Sequence, residues 1–130
     1  MSAQDNADAL RTGYEAFANG DLDTVAKLFD PNIRWHIAGR SQLAGTYTGH
    51  EEVFGFFGKL MELSGGTFGI EIHDMLASDD HVVVLARETA QRGDARLDSN
   101  EVHVWHVTDG VATEFWGCPE DGYAIDEFWG

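Results

Sequence analysis

Six histidines, three tyrosines and one cysteine are the side chains of this 130-residue sequence whose types suit proton transfer, metal binding or nucleophilic attack. The histidines stand at 36, 50, 73, 81, 103 and 106. No two of them make the His-x-x-x-His spacing that puts both imidazoles on one helix face, and no cysteine partners them, so no metal site is expected. His103 and His106 are three apart in a segment that reads as a strand, a spacing that turns them to opposite sides. Cys118, the only cysteine, excludes an internal disulfide framework and, beside Pro119, reads as an inert thiol in a reducing compartment. There is no Gly-x-Ser-x-Gly elbow and no phosphate-binding loop. The chemistry left on offer is acid/base work by His, Tyr and Glu, with no cofactor implied.

Those groups must be held by elements that the hydrophobic pattern makes visible. Ala3, Ala7, Leu10, Tyr14 and Phe17 recur at helical steps and stop at Asn19-Gly20. Asp21 can cap a shorter helix with an apolar stripe of Leu22, Val25, Leu28 and Phe29, which Pro31 prevents from continuing. Ile33 to Ile37 alternates as a strand, and Gly39 to Gly49 reads as a long loop. Thr48 with Glu51 matches a capping box ahead of a third helix carrying Val53, Phe56, Phe57, Leu60 and Leu63, ended by Gly65-Gly66. From Phe68 onward the period is that of strands: 68–77, 82–91, 97–107 and 111–116, an antiparallel meander with turns at Asp79-Asp80, Arg92-Gly93-Asp94 and Asp109-Gly110. Helices followed by hairpins predict one α+β domain over residues 1–130, its helices packed on one face of a bent sheet. The segment from Glu120 to Gly130 is too apolar for a free tail; Phe128 and Trp129 must dock, either as a lid over the chain's own pocket or against a partner.

Composition narrows the partners. Aromatics make up 12% of the chain, including four Trp and eight Phe, enough for a core without metal or disulfide staples. Twenty-three acidic against eight basic residues give a net charge of −15, a field that repels phosphate backbones and anionic lipid, so neither nucleic acid nor a membrane is expected as partner. The first ten residues carry Asp5 and Asp8 and lack the basic start and apolar run of a signal peptide, and no run of about 18 apolar residues occurs, so a cytoplasmic protein is expected.

Several stretches resemble the SnoaL-like branch of the superfamily of ketosteroid isomerase and nuclear-transport-factor-two-like proteins. They are Asn19-Gly20-Asp21-Leu22-Asp23, Trp35 to Gly39, Leu43 to Gly49, Val102 to Gly110, Glu114-Phe115-Trp116 and Asp121 to Trp129. The resemblance implies a cone-like fold enclosing a deep cavity, with homodimers formed through the outer sheet face. It implies no single reaction, since relatives isomerise steroids, close polyketide rings, hydrolyse epoxides or only bind ligands.

Carried over position by position, the isomerase base falls on Ile37, which takes no proton. The isomerase tyrosine falls on Gly13, one step from Tyr14. The acid on the strand before the Asp-Gly turn falls on His103, where an imidazole still transfers protons near neutrality. His103 and Tyr14 are thus the catalytic candidates. Strand alternation puts Glu101 and Trp105 on the face of His103, where Glu101 could orient the ring. Each candidate also has a bland reading, Tyr14 as a core tyrosine and His103 as an interface histidine. Trp35, Tyr47, Phe54, Phe57, Trp105 and Trp116 are candidate ligand-contacting walls, joined by Glu88, which with Arg87 occupies neighbouring strand positions that face opposite sides. Two functions stay open: a cofactor-independent acid/base enzyme of the isomerase, cyclase or hydrolase kind acting on a hydrophobic small molecule, or a binding or dimeric interaction module without chemistry.

Overall fold

The computed structural model describes residues 2–130. Helix α1 runs over Ala3–Ala18, α2 over Leu22–Leu28 and α3 over Gly49–Leu63; strands β1 to β6 span Phe29–Ile37, Gly45–Thr48, Gly69–Ala77, His81–Arg92, Ala95–Thr108 and Val111–Pro119; α4 is Gly122–Trp129. The four helices pack on one six-stranded sheet of order β2-β1-β6-β5-β4-β3. The α+β expectation and the meander β3 to β6 hold.

Local chemistry accounts for the helix ends. Ser2 and Asp5 form a capping box at the start of α1, each side chain bonding the other's backbone N–H. Asp21 caps α2 by accepting from Thr24 N at 3.2 Å. At α3 the expected capping box is absent: Thr48 makes no side-chain cap, and its own N–H donates to Glu52 Oε1 at 3.0 Å. Asp109 and Gly110 both have positive φ, 52° and 77°, the pair of left-handed residues that a tight hairpin between β5 and β6 demands.

Two further expectations are corrected. Phe29 does not close the stripe of α2; it opens β1, with Pro31 inside the strand, and the pairing with β6 is interrupted between Phe29 and Arg34 because proline has no N–H to give. The supposed loop 39–49 contains β2, which pairs antiparallel with β1 from Arg34↔Thr48 to Ile37↔Gly45. The expected strand over 33–37 joins the meander by pairing β1 parallel to β6, a contact between segments some eighty positions apart that local periodicity cannot reveal.

The C-terminal segment docks on its own chain. Ile125, Phe128 and Trp129 are buried, whereas Tyr123 is 90% exposed. Arg92 Nη1 donates to the carbonyls of Phe128 and Trp129 at 2.7 and 2.8 Å, and Gln42 Nε2 donates to Trp129 O at 2.7 Å. The Asp126 carboxylate accepts from Arg40 N at 2.8 Å and Ser41 N at 3.1 Å, beside Gly39, where a Cβ would collide with that carboxylate. At the far end Asn6, fully buried, ties α1 to the β3–β4 turn by donating to Ser78 O and Asp79 O at 3.0 and 2.9 Å.

Candidate active site

A cavity of about 110 Å³ lies between the helices and the sheet, walled by Leu10, Gly13, Tyr14 and Phe17 of α1, Trp35 and Ile37 of β1, Phe57 and Leu60 of α3, Phe115 of β6, and Ile125 and Trp129 of α4. Its polar groups are few and adjacent: Glu88 on β4, Glu101 and His103 on β5, and the Tyr14 hydroxyl. Such a wall, apolar with a small polar cluster, is what a small-molecule site requires.

The cluster is a chain of hydrogen bonds. His103 Nε2 lies 2.9 Å from Glu88 Oε2, and His103 Nδ1 lies 2.7 Å from Tyr14 Oη. The indole of Trp105 donates to Tyr14 Oη at 3.0 Å. A carboxylate accepts, so the imidazole hydrogen belongs on Nε2 and the phenol donates to Nδ1. Burial holds the Tyr14 hydroxyl well above the ordinary phenol range. His103 is 3% exposed and Glu101 7%. Burial, and then the neighbouring charge of Glu88, push the Glu101 carboxyl up to about 8 despite a hydrogen bond from Ser99. Glu101 is therefore a carboxylic acid at neutral pH, a donor set in an apolar wall.

Tyr14 and His103 come together as the sequence suggested. Gly13 serves packing instead, because a Cβ there would meet Leu28 Cδ2 at 2.5 Å, and glycine lets α2 close on α1. The orienting partner of the imidazole is Glu88, not Glu101. The β4–β5 register sets Val84, Ala86 and Glu88 opposite His103, Glu101 and Ser99, and the small Ala86 leaves Glu88 room to reach across. Glu88 faces inward, while Arg87 faces out and pairs with Asp98. Trp35, Phe57 and Trp105 line the cavity as expected.

Three expected wall residues lie elsewhere. Trp116 is on the outer sheet face, stacked on His36 with ring centroids 5.3 Å apart and edge-on to His106 at 4.9 Å; Phe115 takes the inner place, stacked on Trp35 at 3.8 Å. Strand parity decides between neighbours, and the parallel pairing with β1 sets that parity. Tyr47 sits on edge strand β2, its hydroxyl donating to Leu43 O at 2.8 Å and its ring against Phe56, too far along the edge to enter. Phe54 lines a second cavity between α1, α3 and β3. One further buried donor, Trp35 Nε1, has no hydrogen-bond partner among the described residues.

For a metal, the cluster offers one ligand atom each from Glu88, Glu101 and His103, all within 4.8 Å of one another. Sequence spacing hid this set because its members converge only through strand pairing. His103 Nε2 is already engaged by Glu88, so an ion held here would have to replace that hydrogen bond.

A helical layer, a six-stranded sheet and a buried polar cluster between them define a small α+β pocket protein. Residues 10–115 match the SnoaL-like domain, and the chain belongs to that family. Bal32a, from a soil-derived mobile gene cassette, is 41% identical over 98% of each chain with a TM-score of 0.95. An uncharacterised protein of Mycobacterium tuberculosis is 28% identical over 99% of each chain. TerC, co-crystallised with polyporic acid, shares the fold at 23% identity, covering 95% of this chain and 97% of its own, with a TM-score of 0.85. Among the described residues, no helix is long and apolar enough to cross a membrane.

Proposed function

We propose that this protein is a cofactor-independent acid/base enzyme that isomerises or cyclises a hydrophobic carbonyl compound in its closed pocket. One observation carries the reading: both nitrogens of a buried imidazole are engaged in line, by Glu88 on one side and Tyr14 on the other. Such a line moves a proton without leaving a charge unpaired. Tyr14 takes a proton from the carbon beside the ligand carbonyl as its own hydrogen passes to His103 Nδ1, so the phenolate that burial disfavours does not accumulate. The imidazolium formed is paired with the Glu88 carboxylate. The carboxylic acid of Glu101 donates to the ligand oxygen as it gains negative charge, in a site dry enough to make that bond strong. Return of the proton to another carbon isomerises the ligand; attack of the enolate carbon on a second carbonyl of the same molecule closes a ring.

The second reading, a binding module without chemistry, is favoured by Ile37, an apolar residue in the cavity wall where isomerases of this superfamily place their base. Thermal-shift screening of steroids, aromatic polyketide-like diketones and terpenoid epoxides, followed by mass spectrometry of each stabilising ligand, separates the two. A ligand recovered altered by the wild type and intact from His103→Gln supports the enzyme. One recovered intact from both supports the module.

We also propose a homodimer through the outer sheet face, where Trp116 packs between His36 and His106 and Val102 is exposed. Light scattering on the purified chain tests it, and a monomeric mass at micromolar concentration refutes it.

A further inference from the structure

The inner cavity is small. At about 110 Å³ it is of the order of the 150 Å³ engineered cavity that holds a single benzene. A ligand larger than one ring, or longer than a short head group, must extend out of it, and the direction open to it is set by the packing of the chain.

α4 contributes Ile125 and Trp129 to the wall of the inner cavity, and its backbone is fastened by Arg92 and Gln42 through three hydrogen bonds to the carbonyls of Phe128 and Trp129. Between α1, α3 and β3 lies the second cavity, of about 370 Å³, more than three times the inner volume. The two share a partition: Tyr14, Phe17, Phe57, Phe68 and Ile70 line both. Phe17 is the hub of that partition, edge-on to Phe57 at 5.1 Å and to Phe68 at 6.3 Å, and it is only half-buried. The outer walls are Leu22, Phe54 and Met61, with Gly58 facing the space. A Cβ built on Gly58 meets nothing within 4 Å, although it lies in the middle of α3, where glycine weakens the helix.

We propose that the two cavities form one binding site for an elongated amphiphilic carbonyl compound. The head sits in the inner chamber on Tyr14 and Glu101, and the apolar tail passes the Phe17 partition into the outer chamber, where Gly58 and Met61 set the length accepted. The head-group placement rests on the acid/base reading; the two-chamber arrangement does not.

The test uses a series of methyl ketones from 2-hexanone to 2-dodecanone, with binding followed by calorimetry on the full chain. Affinity rises about fourfold per methylene once the tail enters the outer chamber, the gain of burying one CH2. Gly58→Trp, at a position where an added Cβ has open space, flattens the rise and weakens long ketones more than 2-hexanone. Phe17→Ala speeds association of long members. Ketones that bind but gain nothing with length, or a rise that Gly58→Trp does not touch, overturn the two-chamber site and leave the relay standing. A parallel alkylbenzene series with equal gains, together with ketone binding unmoved by Glu101→Gln, keeps the chambers and overturns the head group. Absence of binding by every ketone overturns both.

Discussion

The Tyr14 hydroxyl and Nδ1 of His103 lie 2.7 Å apart across 89 residues of sequence, and with Glu88 beyond the imidazole they make a three-membered line whose members differ in what they do when removed. His103→Gln and Glu88→Gln each lower turnover roughly 10²–10⁴-fold, the usual loss of a positioned proton-transfer group. Because the members act as one unit, the double variant loses no more than the worse single one. Additive losses in steady-state kinetics would show that they act separately.

Tyr14→Phe has a second consequence that the other two lack. It leaves the Trp105 indole N–H, which donates to Tyr14 Oη at 3.0 Å, without its acceptor. We expect about 1–3 kcal/mol lower stability in urea unfolding, the cost of a stranded buried donor. Equal stability of the variant and wild type would mean that the indole finds another acceptor.

The Glu101 carboxyl, raised by burial and the Glu88 charge from an ordinary 4.5 to about 8, predicts a slope in stability against pH. Between those values the folded chain keeps a proton that the unfolded chain has released, so this group's contribution is fully present below about 4.5 and is lost as pH rises through about 8. Glu101→Gln removes the slope, and at pH 9 it is the more stable protein. A midpoint-against-pH curve that the substitution leaves unchanged places the proton elsewhere.

Asn6 is a structural counterpart to these groups. Its amide serves two carbonyls of the β3–β4 turn, so Asn6→Ala costs about 1–3 kcal/mol. Asn6→Asp costs more, because a carboxylate faces oxygens with no hydrogen to offer. Chemical denaturation of the two variants against wild type checks the order.

Deletion of residues 122–130 removes Ile125 and Trp129 from the cavity wall and exposes the apolar surface they bury against. The truncated chain binds apolar dyes and aggregates, and Arg92→Ala moves part of the way by releasing the carbonyls of Phe128 and Trp129. A truncated chain that stays soluble, dye-free and equally stable would mean that α4 covers no such surface.

Local sequence was enough for the first three helices because their apolar residues repeat at 3.6 positions and Asp21 and paired glycines mark ends within a few residues, whereas the Ser2 cap of α1 and the helical form of Gly122–Trp129 were not read. The meander was legible for the same reason: Asp109-Gly110 names its own turn. The two catalytic candidates were also named from sequence, His103 at the position the resemblance gave and Tyr14 one step from it, and the structure sets them 2.7 Å apart. What escaped was long-range. β2 is four residues long and flanked by glycines, with too little pattern to mark it as a strand.

The sequence by itself determined an acidic α+β fold, an aromatic-rich core, which residue types were available for proton transfer, and the docking of an apolar C-terminus. Tertiary structure decided which face each strand turns inward and which distant side chains meet. Trp116 faces out and Phe115 in because β1 runs parallel to β6 in one register. Glu88, not Glu101, grips His103 because β4 and β5 pair with Ala86 opposite Glu101. A strand alternates with a period of two, so one residue of register exchanges the pocket for the surface, and register is set by pairing between segments far apart in the chain.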